Sequence, residues 1–281
     1  MRIRNMSKSS VSKRIWMVVY ILFAGLMGFI LAVSILKPLQ NLIPVQMAVF
    51  SAVSSAAFLA LCFFWNKLYD GLKKKNRTKT VSVLYWILFG LFGCSVFVIL
   101  LIHGNHYHIP GDYEFIYISA LQQADARALD LEHYFLTYSN NIKPMLMLSV
   151  LFKACKLVHI DEYVPVLFIS VLTLLGSTWA VGELVSDKEN RKWRLPSLLF
   201  LMICLPVYVF TGVFYTDTMS FGMGVIAVAL LKIAFQKDKK IYLIPLAAAI
   251  ATIGAGWKIT ALIPVIAWIL EALIFKKWRK W

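Results

Sequence analysis

The 281-residue chain is 60% hydrophobic and only 15% charged, and it carries 29 Lys and Arg against 14 Asp and Glu. A soluble globular domain cannot bury that much apolar surface in one core, so the composition indicates a membrane protein. In such a chain basic residues gather in cytoplasmic loops or against anionic membrane lipids, which argues against a nucleic-acid partner.

The apolar runs predict an all-α, multi-pass transmembrane protein of about eight spans, since a helix needs ~20 apolar residues to cross a bilayer. The first run follows a basic head, is longer than a signal-peptide core and lacks a cleavage site, so we expect a retained anchor. Two domains are expected: residues 1–80, with two additional N-terminal spans and cytoplasmic basic segments, and residues 81–281, the membrane core. The predicted spans are residues 15–36, 44–65, 81–102, 163–185, 195–213, 218–235, 241–256 and 259–275.

A ninth apolar segment, residues 144–158, is short and carries Lys153 and Lys156, so it could span the bilayer or lie in its interface. The positive-inside rule separates the two cases, because each one reverses the direction of every later span. If the segment lies flat, 23 of the 29 Lys and Arg are cytoplasmic; if it spans, 14 are. We therefore predict that it lies flat, that both termini are cytoplasmic, and that residues 103–162 form an extracytoplasmic loop with interfacial helices.

Two carboxylates and one lysine stand at predicted span ends on the outer side. Asp112 follows "HIPG" and could cap a helix beginning near Tyr113, or act as a base held at the membrane surface. Asp217, in "GVFYTDTMSFG", could cap a span starting at Thr218. An ionisable residue at membrane depth is, however, by default a candidate functional-site residue. Lys258, in "GAGWKIT", could snorkel or neutralise a phosphate. In the predicted topology Asp217 shares its compartment with both other residues.

The segment "HGNHYH" offers metal-ligand types close to Asp112. His103, His106 and His108 together with this carboxylate could hold a divalent ion. Histidine and tyrosine also occur at membrane interfaces without metal, and the spacing matches no zinc signature. We therefore assign no certain cofactor and no metal ligands, with a divalent metal as the open alternative.

Four stretches between residues 81 and 275 form an ordered set: "PGDYEFIYISA", "YSNNIKPMLMLSVLFK", "FYTDTMSF" and "GAGWKITALIPVIA". Together they resemble the GT-C superfamily of polyprenyl-phosphate-sugar-dependent glycosyltransferases, especially Gram-positive proteins related to protein mannosyltransferases and to the aminoarabinose transferase of lipid A. The second stretch is similar to the family's Tyr-Pro-Asn-Asn segment, with Ser139 in place of proline. The fourth resembles its Lys-Pro-Thr turn, with Ile259 in place of proline.

The resemblance implies an inverting membrane glycosyltransferase that moves a sugar from a polyprenyl-phosphate-linked donor to a hydroxyl of a cell-envelope glycan, lipid or protein. It implies that Asp112 is the catalytic base, that Asp217 is a second acidic catalytic position, and that Lys258 is a cation near the lipid phosphate. It also implies a non-spanning helix before the second family span. Further substrate-binding residues are expected in the matching stretches, namely Glu114, Tyr138, Asn140, Asn141 and Tyr215.

The chain departs from the family at both ends. Two extra spans precede the core, and the chain stops at "FKKWRKW", where relatives usually continue with several more spans. A shortened or degenerate homologue is therefore the alternative expectation: a non-catalytic membrane subunit or transporter that binds polyprenyl-phosphate lipid. The sequence shows no convincing internal repeat of the kind common in transporters, and this favours the transferase.

Overall fold

The computed structural model describes residues 60, 63–103, 111–128, 132–186, 191–203, 211–212, 215–235 and 240–274. The chain divides into two compact units, Met1–Lys75 and Asn76–Trp281. In the first unit, residues 63–74 are helical and Tyr69 is buried. The predicted span 15–36 and most of the predicted span 44–65 lie outside the described residues.

Every regular element described in the second unit is a helix, so the all-α prediction is confirmed for this part of the chain. Short 3-10 turns at Ser139–Asn141 and Ile259–Ala261 precede two of the α-helices. In chain order the α-helices are α1 (Thr78–His103), α2 (Asp112–Ala124), α3 (Glu132–Thr137), α4 (Ile142–Leu157), α5 (Tyr163–Val185), α6 (Arg194–Ile203), α7 (Thr216–Ala234), α8 (Leu243–Trp257) and α9 (Leu262–Ile274).

Three of these helices, α1, α5 and α7, are long and apolar enough to cross a membrane, and α8 and the segment Ile259–Leu273 are shorter apolar helices. Helices α1 and α9 also expose large apolar side chains, among them Ile87 and Leu91 on α1 and Ile266 and Leu270 on α9. Apolar faces of this size are unfavourable in water and favourable against lipid tails. The protein is therefore a membrane-associated helical protein, and the count of eight spans stays a prediction.

Side-chain contacts give the relative directions of the long helices. Helix α1 runs antiparallel to α5, because the Tyr163 hydroxyl at the start of α5 lies 3.4 Å from the carbonyl of Leu100 near the end of α1. Helix α7 runs parallel to α5. Near the end of both helices, the Lys232 ammonium of α7 donates to the carbonyl of Glu183 at 2.7 Å.

Helices α8 and α9 complete the bundle around α7. Gly254, near the end of α8, lies against Met223 in the first half of α7, so α8 returns antiparallel to α7. Helix α9 runs parallel to α7, since the rings of Phe235 and Trp268 stack with centroids 5.8 Å apart beyond the end of α7. The end of α1, the starts of α5 and α7 and the end of α8 thus lie together, and we call this the site end of the bundle.

Helices α2 and α4 belong to the part of the chain between the end of α1 and the start of α5, two points that both lie at the site end. The two helices lie side by side in the same direction: Tyr117 contacts Phe152 with ring centroids 5.0 Å apart, and Asp125 and Lys156 form an ion pair just beyond Ala124 and near the end of α4. Residues of α2 and α4 pack with residues of α3, α5, α7 and α8 in a cluster that we call the loop core, formed by Ile116, Ala120, Phe135, Met145, Leu148, Phe152, Val166, Met219 and Trp257.

Candidate functional site

Asp112 is the first residue of α2, and the glycine before it allows the chain to turn sharply there. Gly111 has φ 150° and ψ −167°, a conformation that essentially only glycine adopts. Its carbonyl accepts from the backbone N–H groups of Glu114 and Phe115 at 3.0 and 3.3 Å. The capping alternative for Asp112 is therefore wrong, because Gly111 occupies the cap position. Asp112 is exposed in the first turn, where the helix dipole favours a negative charge.

A chain of hydrogen bonds holds the Asp112 carboxylate. The hydroxyl of Tyr134, on α3, is hydrogen-bonded to it. The side-chain amide of Asn141 donates to the same hydroxyl at 2.5 Å, and the side-chain amide of Asn140 donates to Oδ1 of Asn141 at 3.1 Å. Burial first, and then the hydrogen bond to Asp112, raise the pKa of Tyr134. The phenol therefore stays protonated at neutral pH and donates to the carboxylate.

Several of the predicted substrate-binding residues lie around Tyr134 or near Asp112 on α2. Asn141 is buried at 2% exposure, whereas Asn140 and Tyr138 are exposed. The Tyr138 ring lies 5.1 Å from the ring of Tyr134. Glu114 is half-buried in the first turn of α2. Sequence reasoning missed Tyr134, although its position one helical turn before Tyr138 was a usable signal.

Asp217 and Lys258 meet at the site end, although 41 residues separate them in the chain. Helix α7 begins at Thr216, and the extended residue Tyr215 occupies its cap position, so the capping alternative for Asp217 is wrong. Lys258 follows the last residue of α8 in an extended conformation. Its ammonium donates to Oδ2 of Asp217 at 2.5 Å. The lysine head group thus has a protein partner, which snorkelling alone does not require.

Backbone and hydroxyl contacts hold the turn that carries Lys258. The hydroxyl groups of Ser220, on α7, and Thr260, in the 3-10 turn, lie 2.7 Å apart. The backbone N–H of Lys258 donates to the carbonyl of Gly254 at 3.0 Å, and the lysine carbonyl accepts from the N–H of Ala261 at 3.2 Å. The turn that carries Lys258 is therefore hydrogen-bonded both to α7 and to the end of α8.

The two carboxylates take different partners but flank the same loop core. Ile116 of this core is one helical turn after Asp112, Met219 is two residues after Asp217, and Trp257 directly precedes Lys258. A shared pocket for the two carboxylates stays a prediction. What the structure shows is that residues next to the Asp217–Lys258 pair and a residue one turn after Asp112 pack in one apolar core.

The predicted metal alternative has no further support among the described residues. No group of three or more His, Cys, Asp or Glu side chains that could hold an ion occurs there. His103 is exposed at the end of α1, while His106 and His108 lie outside the described residues.

A second charged cluster, which sequence reasoning missed, lies at the opposite end of the bundle. Glu183 of α5 and Arg194 of α6 form an ion pair whose side chains are 9% and 8% exposed. The Arg194 guanidinium also lies over the rings of Tyr85 and Trp86, at 5.8 Å from each centroid. Lys232 donates to three carbonyls at the end of α5, at 2.7 to 3.1 Å. The signal was an acidic residue inside a predicted span, which needs a partner in a membrane.

Comparisons of the chain with models of protein families, with curated proteins and with solved structures found no match. The case for a function therefore depends on the contacts of Asp112, Asp217 and Lys258.

Proposed function

We propose that the protein is a membrane glycosyltransferase that moves a sugar from a polyprenyl-phosphate-linked donor to an extracytoplasmic hydroxyl, with inversion at the anomeric carbon. The observation that carries the proposal is the Asp217–Lys258 pair, which lies beside the same loop core as the Asp112 carboxylate. Such a transfer needs a base for the hydroxyl and a cation for the leaving phosphate. The resemblance of four sequence stretches supports the same reaction.

In the proposed reaction the acceptor oxygen forms a bond to the anomeric carbon and its proton passes to Asp112. The bond between that carbon and the phosphate oxygen breaks, and the electron pair stays on the phosphate. Lys258 stabilises this negative charge, so the leaving group needs no proton. A single displacement of this kind inverts the configuration. Tyr134 and Asn141 keep the base oriented, and Asp217 orients the acceptor.

The position of the pair suits a donor that stays in the bilayer. Lys258 directly follows the apolar helix α8, and Asp217 stands in the first turn of α7. A membrane-crossing helix ends at the depth of the lipid headgroups, where a lipid phosphate also lies. A donor can therefore keep its hydrocarbon chain against the apolar faces of the bundle while its phosphate reaches the site end.

We place the site outside the cell in an eight-span protein with both termini in the cytoplasm. The positive-inside count supports this orientation. The shared position of the end of α1 and the start of α5 supports a connecting loop that stays on one side. In a cysteine-free background, Gln123→Cys should react with an impermeant maleimide in intact cells and Lys240→Cys should not. Labelling of both positions would contradict the topology.

Transfer of radiolabelled sugar from a polyprenyl-phosphate donor, in membranes with matched protein levels, tests the chemistry. Asp112→Asn should lower transfer by about 10² or more, the usual scale for losing a general base. Asp217→Asn should lower it less, because an amide keeps part of the hydrogen bonding. Asp125→Asn is the matched control: it also removes an ion-paired aspartate, but Asp125 comes directly after the 13-residue α2, about 20 Å from Asp112.

Two results would count against the proposal. If Asp112→Asn transfers sugar as fast as the unmodified chain, Asp112 is not the base. If the unmodified chain binds the donor lipid and transfers no sugar, the non-catalytic lipid-binding subunit replaces the transferase as the better account.

A further inference from the structure

The lysine that would bind the donor phosphate already has an anionic partner inside the protein. The Lys258 ammonium contacts Asp217 at 2.5 Å, and the two side chains are 28% and 33% exposed. This exposure leaves the pair within reach of a charged group arriving from outside. An incoming phosphate therefore has to compete with the Asp217 carboxylate for the same ammonium.

The surrounding backbone restricts how this competition can proceed. Two hydrogen bonds hold the turn in place: one joins the hydroxyls of Ser220 and Thr260, and the other runs from the backbone N–H of Lys258 to the carbonyl of Gly254. The lysine side chain, by contrast, is a flexible four-carbon stem that ends in a compact charge. A change of partner can thus occur by rotation of one side chain, while α7 and α8 keep their positions.

The negative charge of the lipid phosphate rises during the proposed reaction, whereas the charge of the Asp217 carboxylate does not. A carboxylate carries one negative charge, and partly exposed pairs with lysine are weak. A phosphate monoester carries about 1.5 to 2 negative charges at neutral pH and three strong acceptor oxygens. The sugar-linked donor, by contrast, is a phosphate diester with one negative charge, so on binding it meets the carboxylate at equal charge and its isoprenyl chain, held against the apolar helix faces, supplies the advantage. The monoester is the leaving group, so the pull of the phosphate on the ammonium grows further as the sugar departs.

We propose that the phosphate of an isoprenyl lipid displaces Asp217 from Lys258, and that this exchange frees the Asp217 carboxylate for the acceptor hydroxyl. The inference rests on the proposed function and adds an order of substrate binding: the donor binds first, and its binding prepares the acceptor site. In the absence of donor, the ion pair keeps Asp217 occupied. Asp217 then acts as a competitor of the lipid phosphate.

Binding of farnesyl monophosphate to the purified full chain in detergent tests the exchange, with farnesol as the uncharged control ligand. Lys258→Met should weaken binding about tenfold, the scale of a lost charge-assisted hydrogen bond. Asp217→Asn should tighten binding about two- to fivefold, because it removes a competitor whose pair is worth up to about a factor of five. Asp217→Ser provides a second uncharged variant with the same expected gain.

The Asp125–Lys156 pair supplies matched controls, since its side chains are 26% and 35% exposed. Asp125→Asn and Lys156→Met change the net charge in the same way and should leave the affinity unchanged. If both Asp217 variants bind the farnesyl phosphate no more tightly than the unmodified chain, the exchange is overturned and the pair is structural. If Lys258→Met alone leaves binding unchanged, the phosphate assignment in the proposed function is overturned instead. Inorganic phosphate binding as tightly as farnesyl phosphate would overturn the lipid as the source.

Discussion

Replacing Gly224 with alanine tests how the turn that carries Lys258 is held against α7. A Cβ atom built on Gly224 would lie 3.0 Å from the carbonyl carbon of Ala261 and 3.2 Å from its Cα, with the carbonyl oxygen nearer still. All three atoms belong to the backbone, so no side-chain rotation can relieve the clash. The turn would have to withdraw from α7 by about 1 Å to restore an ordinary carbon–oxygen contact.

The expected cost follows from the balance of two terms. Alanine in a helix interior is more favourable than glycine by about 1 kcal/mol. Forcing an extra methyl group into a packed contact usually costs about 1–3 kcal/mol, and a backbone clash lies at the upper end. A Cβ atom built on Gly90, on α1, meets no other atom within 4 Å, so Gly90→Ala gains the helix preference of alanine and creates no clash. The favourable term is the same for both variants and cancels, so Gly224→Ala should be less stable than Gly90→Ala by the cost of the clash, about 1–3 kcal/mol and toward the upper end of that range.

Unfolding in mild detergent, followed by intrinsic fluorescence during denaturant titration, measures this difference. A shift of the turn by about 1 Å also moves Lys258 relative to Asp217, and misplacement on that scale can lower an enzymatic rate about 10²-fold. Gly224→Ala should thus lose sugar transfer even at a temperature where it stays folded. Equal stability of the two alanine variants would refute the close approach of α7 and the turn.

Two further perturbations address the hydrogen bonds and charges around the bundle. Tyr134→Phe removes the hydroxyl beside the Asp112 carboxylate and also leaves the buried Asn141 amide without that acceptor, so sugar transfer should fall about tenfold, the scale of one lost hydrogen bond; an unchanged rate would show that the Tyr134 hydroxyl does not position the base. Glu183→Met leaves the buried Arg194 without its carboxylate and should destabilise the protein by about 3–5 kcal/mol, whereas adding Arg194→Met should restore most of the loss in the same unfolding assay; strict additivity of the two changes would argue against the pair.

The length rule for membrane helices predicted the long elements well, and local capping rules predicted their starts less well. Helix α5 has the predicted bounds, 163–185, since hydrophobic length alone decides where an apolar run can cross a bilayer. At the starts of α2 and α7, the preference of Asp and Thr for cap positions pointed one or two residues too late. Gly111 and Tyr215 occupy those positions instead.

The partners of the charged residues could be predicted only in part. Charge counting put Asp217 and Lys258 in one compartment, but their direct contact depends on how closely α7 and α8 pack, which a single sequence does not show. The hydrogen bond from Tyr134 to Asp112 depends on the direction in which the short helix α3 returns. A cationic partner for Glu183 could have been predicted from the sequence, because a carboxylate inside a long apolar run needs a buried cation.

The Tyr163 hydroxyl has one proton and two carbonyl oxygens within reach, those of Leu100 at 3.4 Å and Gly212 at 3.2 Å. A phenol donates one hydrogen bond, so at any moment only one of these carbonyls receives the full interaction. Leu100 lies near the end of α1, and Gly212 precedes Asp217 by five residues. The last turn of α1 and the segment that leads into α7 therefore compete for a single proton. If either carbonyl moves away, the hydroxyl can donate to the other, so the start of α5 can be bonded to the end of α1 or to Gly212, but not fully to both at once.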